Sequence, residues 1–325
     1  MSSAQVTRMP SSSLRAVLSQ PRGLIDSAMQ PIDRFGLSCA LATPFQSNFT
    51  IDHNRLADHA LWCLDTGCSS LTLFGTTGEG ASVSRAERDE ILGTLLSAGI
   101  EPGRQLVGGV LTTSVGDAAE QIEILNDAGC QRILLAPPFY FKGVSEEGLY
   151  DWFAQLAEKV ACRSLAFILY HIPSSTHVLL TVDLVGRLKA AYPDLVIGVK
   201  DSGGDPAFTE ALLASHSDLL ILIGDERHLA AGVRLGAKGA ISGLANICPA
   251  ELLPLVESGL NDSRITELVN ELLKYPATSS VKALIGRRKN DALWLNVRPP
   301  LTRISDQTAQ QLVSTYDRIF ALPPH

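Results

Sequence analysis

The 325-residue sequence predicts an α/β protein whose core is a (β/α)8 TIM barrel, followed by a C-terminal helical appendage. Short runs of Leu, Ile and Val recur at near-regular spacing from residue 36, as expected of parallel strands that are buried on both faces. Helix start signals lie between these runs. Strands that alternate with helices form either a closed barrel or a doubly wound sheet, and the count of eight favours the barrel.

Helix starts and strand runs can each be placed on the sequence. Ser84 and Glu87 have the spacing of a capping box, Ser145 and Thr181 are candidate N-caps, and Pro249 suits a first helical turn. The eight strands are predicted at residues 37–44, 69–74, 105–111, 132–137, 164–172, 195–200, 219–224 and 239–245.

Three parts of the chain are expected. Residues 1–34 are rich in Ser, contain arginines and show weak apolar periodicity, which predicts a flexible extension; an organellar transit peptide is the alternative. Residues 35–262 are assigned to the barrel, and residues 263–325 to a helical region that packs on it. Helices in that last region are predicted near residues 265–274, 279–287 and 306–320.

The composition argues against several classes of function. A net charge of −7 disfavours a partner with a phosphate backbone, so no nucleic-acid binding is expected. No apolar run approaches the roughly 20 residues of a membrane span. The six cysteines lack C-x-x-C spacing and suit buried free thiols in a reducing, cytoplasmic compartment. Neither a metal nor a cofactor is expected, because no His, Cys and carboxylate cluster has ligand spacing.

The loop after the second predicted strand contains the segment Gly75-Thr76-Thr77-Gly78-Glu79. Its glycines allow a tight turn that directs backbone N–H groups at one spot, and two hydroxyls beside such amides can bind a small carboxylate. The spacing matches neither a dinucleotide fingerprint nor a P-loop. A plain loop before a helix is the alternative interpretation of this segment on its own.

A lysine and a tyrosine stand at the ends of two neighbouring predicted strands. Because side chains alternate along a strand, Val199 should face the helices while Gly198 and Lys200 face the barrel interior. A charged ammonium is costly in an apolar lumen, and a neutral amine is a nucleophile toward carbonyl groups. Tyr170 can carry a proton there. The alternative interpretations are that Lys200 is a surface lysine and that Tyr170 only caps the core.

In this order, the elements resemble the family that contains dihydrodipicolinate synthase and N-acetylneuraminate lyase. The resemblance covers about residues 36–320, and it is specific because the motifs occur together. The motifs are Gly75-Thr76-Thr77-Gly78-Glu79, Tyr170-His171-Ile172-Pro173, Gly198-Val199-Lys200-Asp201, Gly224-Asp225 and Gly239-Ala240-Ile241-Ser242.

The resemblance implies catalytic roles for particular side chains. Lys200 would form a Schiff base with pyruvate or another 2-oxo acid, and Tyr170 would move protons to and from the reacting groups. Thr76 would link Tyr170 to a second tyrosine supplied by an adjacent subunit. Tyr140 is the candidate for that tyrosine, and a shift of one residue would place Phe141 there instead. The family assembly would be a homotetramer made of two tight dimers.

The resemblance also implies a binding site for the 2-oxo acid. Thr77, with the neighbouring backbone of Gly75 and Gly78, would clamp the carboxylate. Ile241 would shape the pyruvate pocket, and Gly224 would lie against the substrate.

One position departs from the synthases of this family. They carry an arginine two residues after the proline of the Tyr-x-x-Pro motif, where it holds the carboxylate of aspartate semialdehyde; here Ser175 stands at that position. A serine replaces a bidentate, permanently charged partner. We therefore favour a class I, pyruvate-dependent aldolase that acts on a hydroxy-2-oxo acid and uses an aldehyde as second substrate. The alternatives are 4-hydroxy-tetrahydrodipicolinate synthase and, from another class, a non-catalytic keto-acid sensor.

Overall fold

The computed structural model describes residues 34–161 and 163–320. Its eight strands, β1–β8, span Gly36–Ala40, Ser70–Leu73, Leu106–Val110, Arg132–Leu135, Ala166–His171, Val196–Asp201, Leu220–Ile223 and Gly239–Ser242. All neighbouring strands are parallel, and β1 pairs with both β2 and β8, so the sheet closes in chain order. The predicted TIM barrel is confirmed, and every strand begins within two residues of its predicted start.

Helices separate the strands and follow the last one. Within the described residues, α1–α13 span His53–Asp65, Arg85–Ser97, Pro102–Gln105, Val115–Asp127, Glu146–Val160, Pro173–Thr176, Val182–Ala191, Pro206–Ser215, Glu226–Arg234, Pro249–Ser258, Ser263–Leu272, Ala277–Lys289 and Asp306–Phe320. None of these helices is long and apolar enough to cross a membrane.

The predicted helix starts are found where the sequence placed them. Ser84 and Glu87 form a complete capping box at the start of α2. The side chains of Ser145 and Thr181 accept hydrogen bonds from the first turns of α5 and α7, and Pro249 is the first residue of α10. These caps satisfy amide groups that a helix start would otherwise leave without partners.

The seam between β1 and β8 depends on glycine. Gly239 has a φ of +152°, and a Cβ atom there would lie 2.1 Å from the carbonyl oxygen of Gly36. Any side chain at this position would therefore push the first and last strands apart. The closed barrel requires the close backbone approach that glycine allows at this seam.

Strand side chains alternate between two environments. Leu37 and Val199 point outward and belong to the buried core between the sheet and the helices. Inside the barrel the hydroxyls of Ser38 and Thr72 are hydrogen-bonded at 2.9 Å. The alternation leaves Lys200 on the interior face, as its position one residue after Val199 in the strand predicted.

The carboxyl-terminal helices pack against the barrel and against one another. Helix α11 contacts α9, and α13 packs on both α11 and α12. The three predicted C-terminal helices are confirmed, whereas the division of the chain at residues 262 and 263 stays a prediction. The predicted extension, residues 1–34, lies outside the described residues apart from Arg34.

Candidate active site

Lys200 lies inside the carboxyl end of the barrel, near the end of β6. It pairs in register with Tyr170 on β5, and its side chain is almost fully buried, with 6% of the residue exposed. The Nζ atom donates a hydrogen bond to Tyr170 Oη at 3.3 Å. No carboxylate among the described residues forms an ion pair with it, and the Nζ atom lies 4.4 Å from the centroid of the Tyr170 ring.

Tyr170 connects the lysine to the loop after β2. Its hydroxyl lies 3.3 Å from Lys200 Nζ and also 3.3 Å from Thr76 Oγ1, while the ring is buried. The three polar atoms form one continuous path from the barrel interior to a threonine that is exposed to solvent. Such a path can move a proton between a buried reacting group and the outside.

The loop after β2 is folded tightly by its glycines. Gly80 donates its backbone N–H to the carbonyl of Gly75, and a Cβ atom on Gly80 would lie 1.8 Å from the carbonyl oxygen of Phe74. The structure gives no acceptor within the described chain for the backbone N–H of Thr77 or Gly78. These two amides are available to an anion, as the carboxylate-binding interpretation requires.

A buried ion pair anchors this loop to the C-terminal helices. Glu79 adopts the left-handed conformation, with φ at +53°, and its carboxylate is paired with the ammonium of Lys282 on α12. Both side chains are fully buried. The other carboxylate oxygen accepts the backbone N–H of Arg298 at 2.8 Å, and Thr278 donates to the carbonyl of Thr76 at 3.4 Å.

The seventh and eighth strands complete the mouth of the barrel. Ile241 is fully buried on β8, in register with Ser38. Gly224 follows β7, and a Cβ atom there would lie 1.9 Å from the hydroxyl of Ser202, so a larger residue would force the Ser202 side chain to move. Glu226 binds the hydroxyl of Ser242 at 2.5 Å, and burial raises the pKa of the Glu226 carboxyl.

A cleft opens beside Thr76 at the carboxyl end of the barrel. Its volume is about 260 Å³, and it is lined by the loops after β2 to β5 and by residues that follow α12. Ser175 is one of these lining residues and is exposed. The neighbouring Thr176 hydroxyl donates to the carbonyl of Ile172 at 3.0 Å, so it is already engaged.

Tyr140 is not brought to Lys200 within the chain. It lies in the loop between β4 and α5 and is 74% exposed, and its ring makes an edge-to-face contact with the equally exposed Phe141. Two large aromatic side chains at the tip of a loop are typical of a surface that contacts another protein.

The sequence did not reveal the Glu79–Lys282 pair or the part of the cleft wall that follows α12. The sequence predicts only a packed appendage for the C-terminal residues. One signal was available, because Lys282 interrupts the apolar run Val281, Ala283, Leu284 and Ile285 within a helix. A lone lysine on the buried side of a helix predicts a buried partner of opposite charge.

The described residues contain no group of three or more His, Cys, Asp or Glu side chains that could hold a metal ion. The predicted independence from metals and cofactors stays a prediction.

Comparisons with known proteins agree with this architecture. The model of the dihydrodipicolinate synthetase family matches residues 34–319. A DapA-like lyase of Chloroflexus aurantiacus is 29% identical over 298 residues, which are 88% of this chain and 97% of that relative. The 4-hydroxy-tetrahydrodipicolinate synthase of Pseudomonas putida is 32% identical over 242 residues, which are 73% of this chain and 80% of that relative.

A solved structure extends the comparison to the whole barrel. The crystal structure of dihydrodipicolinate synthase from Agrobacterium tumefaciens superimposes with a TM-score of 0.85 at 50% identity, covering 88% of this chain and 100% of that one. The match of the family model over nearly all described residues shows the family. The chain therefore belongs to the dihydrodipicolinate synthetase family and is a lyase.

Proposed function

We propose that the chain is a class I aldolase that joins pyruvate to an aldehyde, or cleaves the resulting hydroxy-2-oxo acid, through a Schiff base on Lys200. The observation that carries this proposal is the path from Lys200 Nζ through Tyr170 Oη to Thr76 Oγ1, with both separations at 3.3 Å. It combines a buried amine with a proton carrier at the carboxyl end of the barrel.

Each step has a group to perform it. The neutral Lys200 amine adds to the pyruvate carbonyl, and loss of water leaves a protonated imine. Tyr170 protonates the hydroxide that departs in that step, and the resulting phenolate takes a proton from the methyl carbon to give an enamine. That carbon then attacks the aldehyde. The aldehyde oxygen takes up a proton from Tyr170, and water hydrolyses the imine to release the hydroxy-2-oxo acid and free lysine. The cleavage reaction follows the same steps in reverse.

The loop after β2 is proposed to hold the pyruvate carboxylate. The free amides of Thr77 and Gly78 and the Thr77 hydroxyl provide donors, and Gly75 gives the loop room for a ligand because a Cβ there would meet only open space and one methyl group. Ile241 and Gly224 are proposed to bound the pyruvate pocket on its other side. No exposed cation is needed for a carboxylate held by convergent amides.

Trapping with borohydride tests the covalent step. Incubation with pyruvate and borohydride should add a reduced pyruvyl group to the peptide that contains Lys200. Lys200→Ala should abolish the adduct, whereas Lys159→Ala, an exposed lysine at the end of α5, should leave it unchanged. An adduct on another lysine, or none, would refute the mechanism.

Tyr140 is proposed to act in the site of an adjacent subunit, within a homotetramer of tight dimers. Its exposure, and that of Phe141, support this placement. Mixing the inactive variants Lys200→Ala and Tyr140→Phe should restore activity, because some mixed dimers would then hold one site with both native groups. Mixing Lys200→Ala with Tyr170→Phe is the matched control and should restore nothing, since those two residues belong to one chain. Proven subunit exchange without recovery would count against the assignment.

The synthase reaction is the second candidate, because the relatives include a protein named 4-hydroxy-tetrahydrodipicolinate synthase. Ser175 argues against it. A serine offers one neutral hydrogen bond to a carboxylate, and the loss relative to arginine is on the order of 2–3 kcal/mol, or tens- to hundred-fold in apparent affinity. Condensation with aspartate semialdehyde should therefore be slow and poorly saturable. Efficient, saturable synthase turnover without cleavage of any hydroxy-2-oxo acid would favour the synthase hypothesis over the aldolase hypothesis.

A further inference from the structure

The cleft beside Thr76 is placed to receive the part of the second substrate that does not react. Its aldehyde carbon must reach the enamine on Lys200, near the Tyr170 hydroxyl. Thr76 belongs both to the path that ends at Lys200 and to the lining of the cleft. An aldehyde that reached the enamine past Thr76 would extend its chain into this cleft.

The wall of the cleft is mostly apolar. Most of its apolar side chains come from the loops after β3, β4 and β5 and from the segment that follows α12; these are Leu111, Ala136, Phe139, Ile172, Pro300 and Leu301. No Lys, Arg or His is among the described residues that line it. A carboxylate that entered the cleft would lose water and would meet no cation in return.

The charged groups near the cleft are already hydrogen-bonded within the chain. Glu79 reaches the lining, but its two oxygens are held by Lys282 and by the backbone N–H of Arg298. The ammonium of Lys142 donates to the backbone carbonyls of Phe139 and Thr176. The Lys142 ammonium keeps its charge, but it is exposed and is not among the lining residues. The described lining therefore presents no cation to a ligand, and it offers Ser175 as a hydroxyl at its rim.

We propose that this cleft selects aldehydes with an uncharged, largely apolar chain, so that the preferred product is a 4-hydroxy-2-oxo acid with an apolar tail. The inference rests on the proposed aldolase function and names its second substrate. An apolar cavity of 150 Å³ accommodates benzene, so a volume of about 260 Å³ suits a chain of roughly six to ten non-hydrogen atoms. Each methylene that it buries should raise kcat/KM roughly fourfold.

Two aldehydes of one shape separate charge from size. Succinic semialdehyde and 4-methylpentanal have the same arrangement of non-hydrogen atoms, but one ends in a carboxylate and the other in an isopropyl group. With pyruvate as the donor, 4-methylpentanal should have a kcat/KM at least tenfold higher. A preference for succinic semialdehyde would overturn the proposal.

A designed cation in the wall gives the converse test. Leu301→Arg should lower the ratio of kcat/KM for 4-methylpentanal to kcat/KM for succinic semialdehyde at least tenfold. The reason is that the guanidinium would pair with the carboxylate inside the cleft. The matched control is Leu235→Arg, an equally simple change of an exposed leucine at the end of α9, which does not line the cleft and should leave the ratio unchanged. A ratio that Leu301→Arg leaves unmoved would also overturn the proposal.

A third readout distinguishes failure of this inference from failure of the aldolase function. Exchange of the pyruvate methyl hydrogens with deuterated water requires the enamine on Lys200 but no aldehyde. If exchange proceeds and the charged aldehyde is preferred, or neither aldehyde reacts, the assignment of the cleft is wrong. If exchange is absent, the Schiff-base proposal is wrong and this inference falls with it.

Discussion

Removing the ammonium of Lys282 tests how the site is held together. This ammonium contacts the Glu79 carboxylate and the carbonyl of Asn296, and it lies 4.4 Å from the centroid of the Phe45 ring. In Lys282→Met the Glu79 carboxylate stays buried and keeps the backbone N–H of Arg298 as a donor. Breaking one partner of a buried pair costs about 3–5 kcal/mol, because the remaining charge is left uncompensated.

Guanidinium denaturation followed by tryptophan fluorescence measures this loss as a fall in the free energy of unfolding. The variant Glu79→Gln should also lose several kcal/mol, whereas the double variant should lose far less than the sum, with a coupling of about 2 kcal/mol or more. Lys159→Met, on the surface of α5, should change the free energy of unfolding by less than about 0.5 kcal/mol. Additive losses in the double variant would refute the idea that the two residues form one buried unit.

Three further predictions concern separate parts of the site and its support. Arg298 lowers the pKa of Glu87 to about 2, below the value of 4.5 for an unperturbed carboxyl. The stability that the ionised Glu87 gives to the folded protein is therefore complete above pH 4.5 and is lost as the pH falls toward 2. This change in pKa corresponds to about 3 kcal/mol, and solvent screening at the partly exposed carboxyl reduces the effect. Unfolding curves of Glu87→Gln should therefore show that the free energy of unfolding falls by about 2 kcal/mol at pH 7 and hardly at all at pH 2. Tyr170→Phe should lower kcat by about 10²–10⁴-fold while borohydride still traps pyruvate on the lysine; a kcat within threefold of the native value would exclude proton transfer by the phenol. Gly80→Ala should raise the KM for pyruvate and lower the thermal midpoint, because its Cβ would collide with the carbonyl of Phe74, and unchanged values of both would contradict the described loop.

Local patterns in the sequence were sufficient for the barrel. Parallel strands buried on both faces form continuous apolar runs, and Ser84 and Thr181 mark helix starts through bonds to amides only three residues away. The inward direction of Lys200 followed from strand alternation alone. Each of these inferences depends on near neighbours in the chain.

Features that join distant segments could not be predicted in the same way. Glu79 and Lys282 are 203 residues apart, and either one alone resembles an ordinary surface charge. The wall formed by Leu301 could be predicted only if one knew how the last helices return to the mouth of the barrel. Tyr140 presents a further difficulty, since the contact proposed for it is with a second chain.

The attachment of α12 to the loop after β2 has a consequence for protein synthesis. A chain made from its amino terminus releases all eight strands from the ribosome before Lys282, Arg298 and Leu301 appear. Until then the loop after β2 lacks its anchor and the cleft lacks one wall. A nascent or prematurely terminated product thus carries Lys200 without a finished site around it. Ribosome-bound chains stalled before and after residue 301 should differ sharply in their capture of pyruvate.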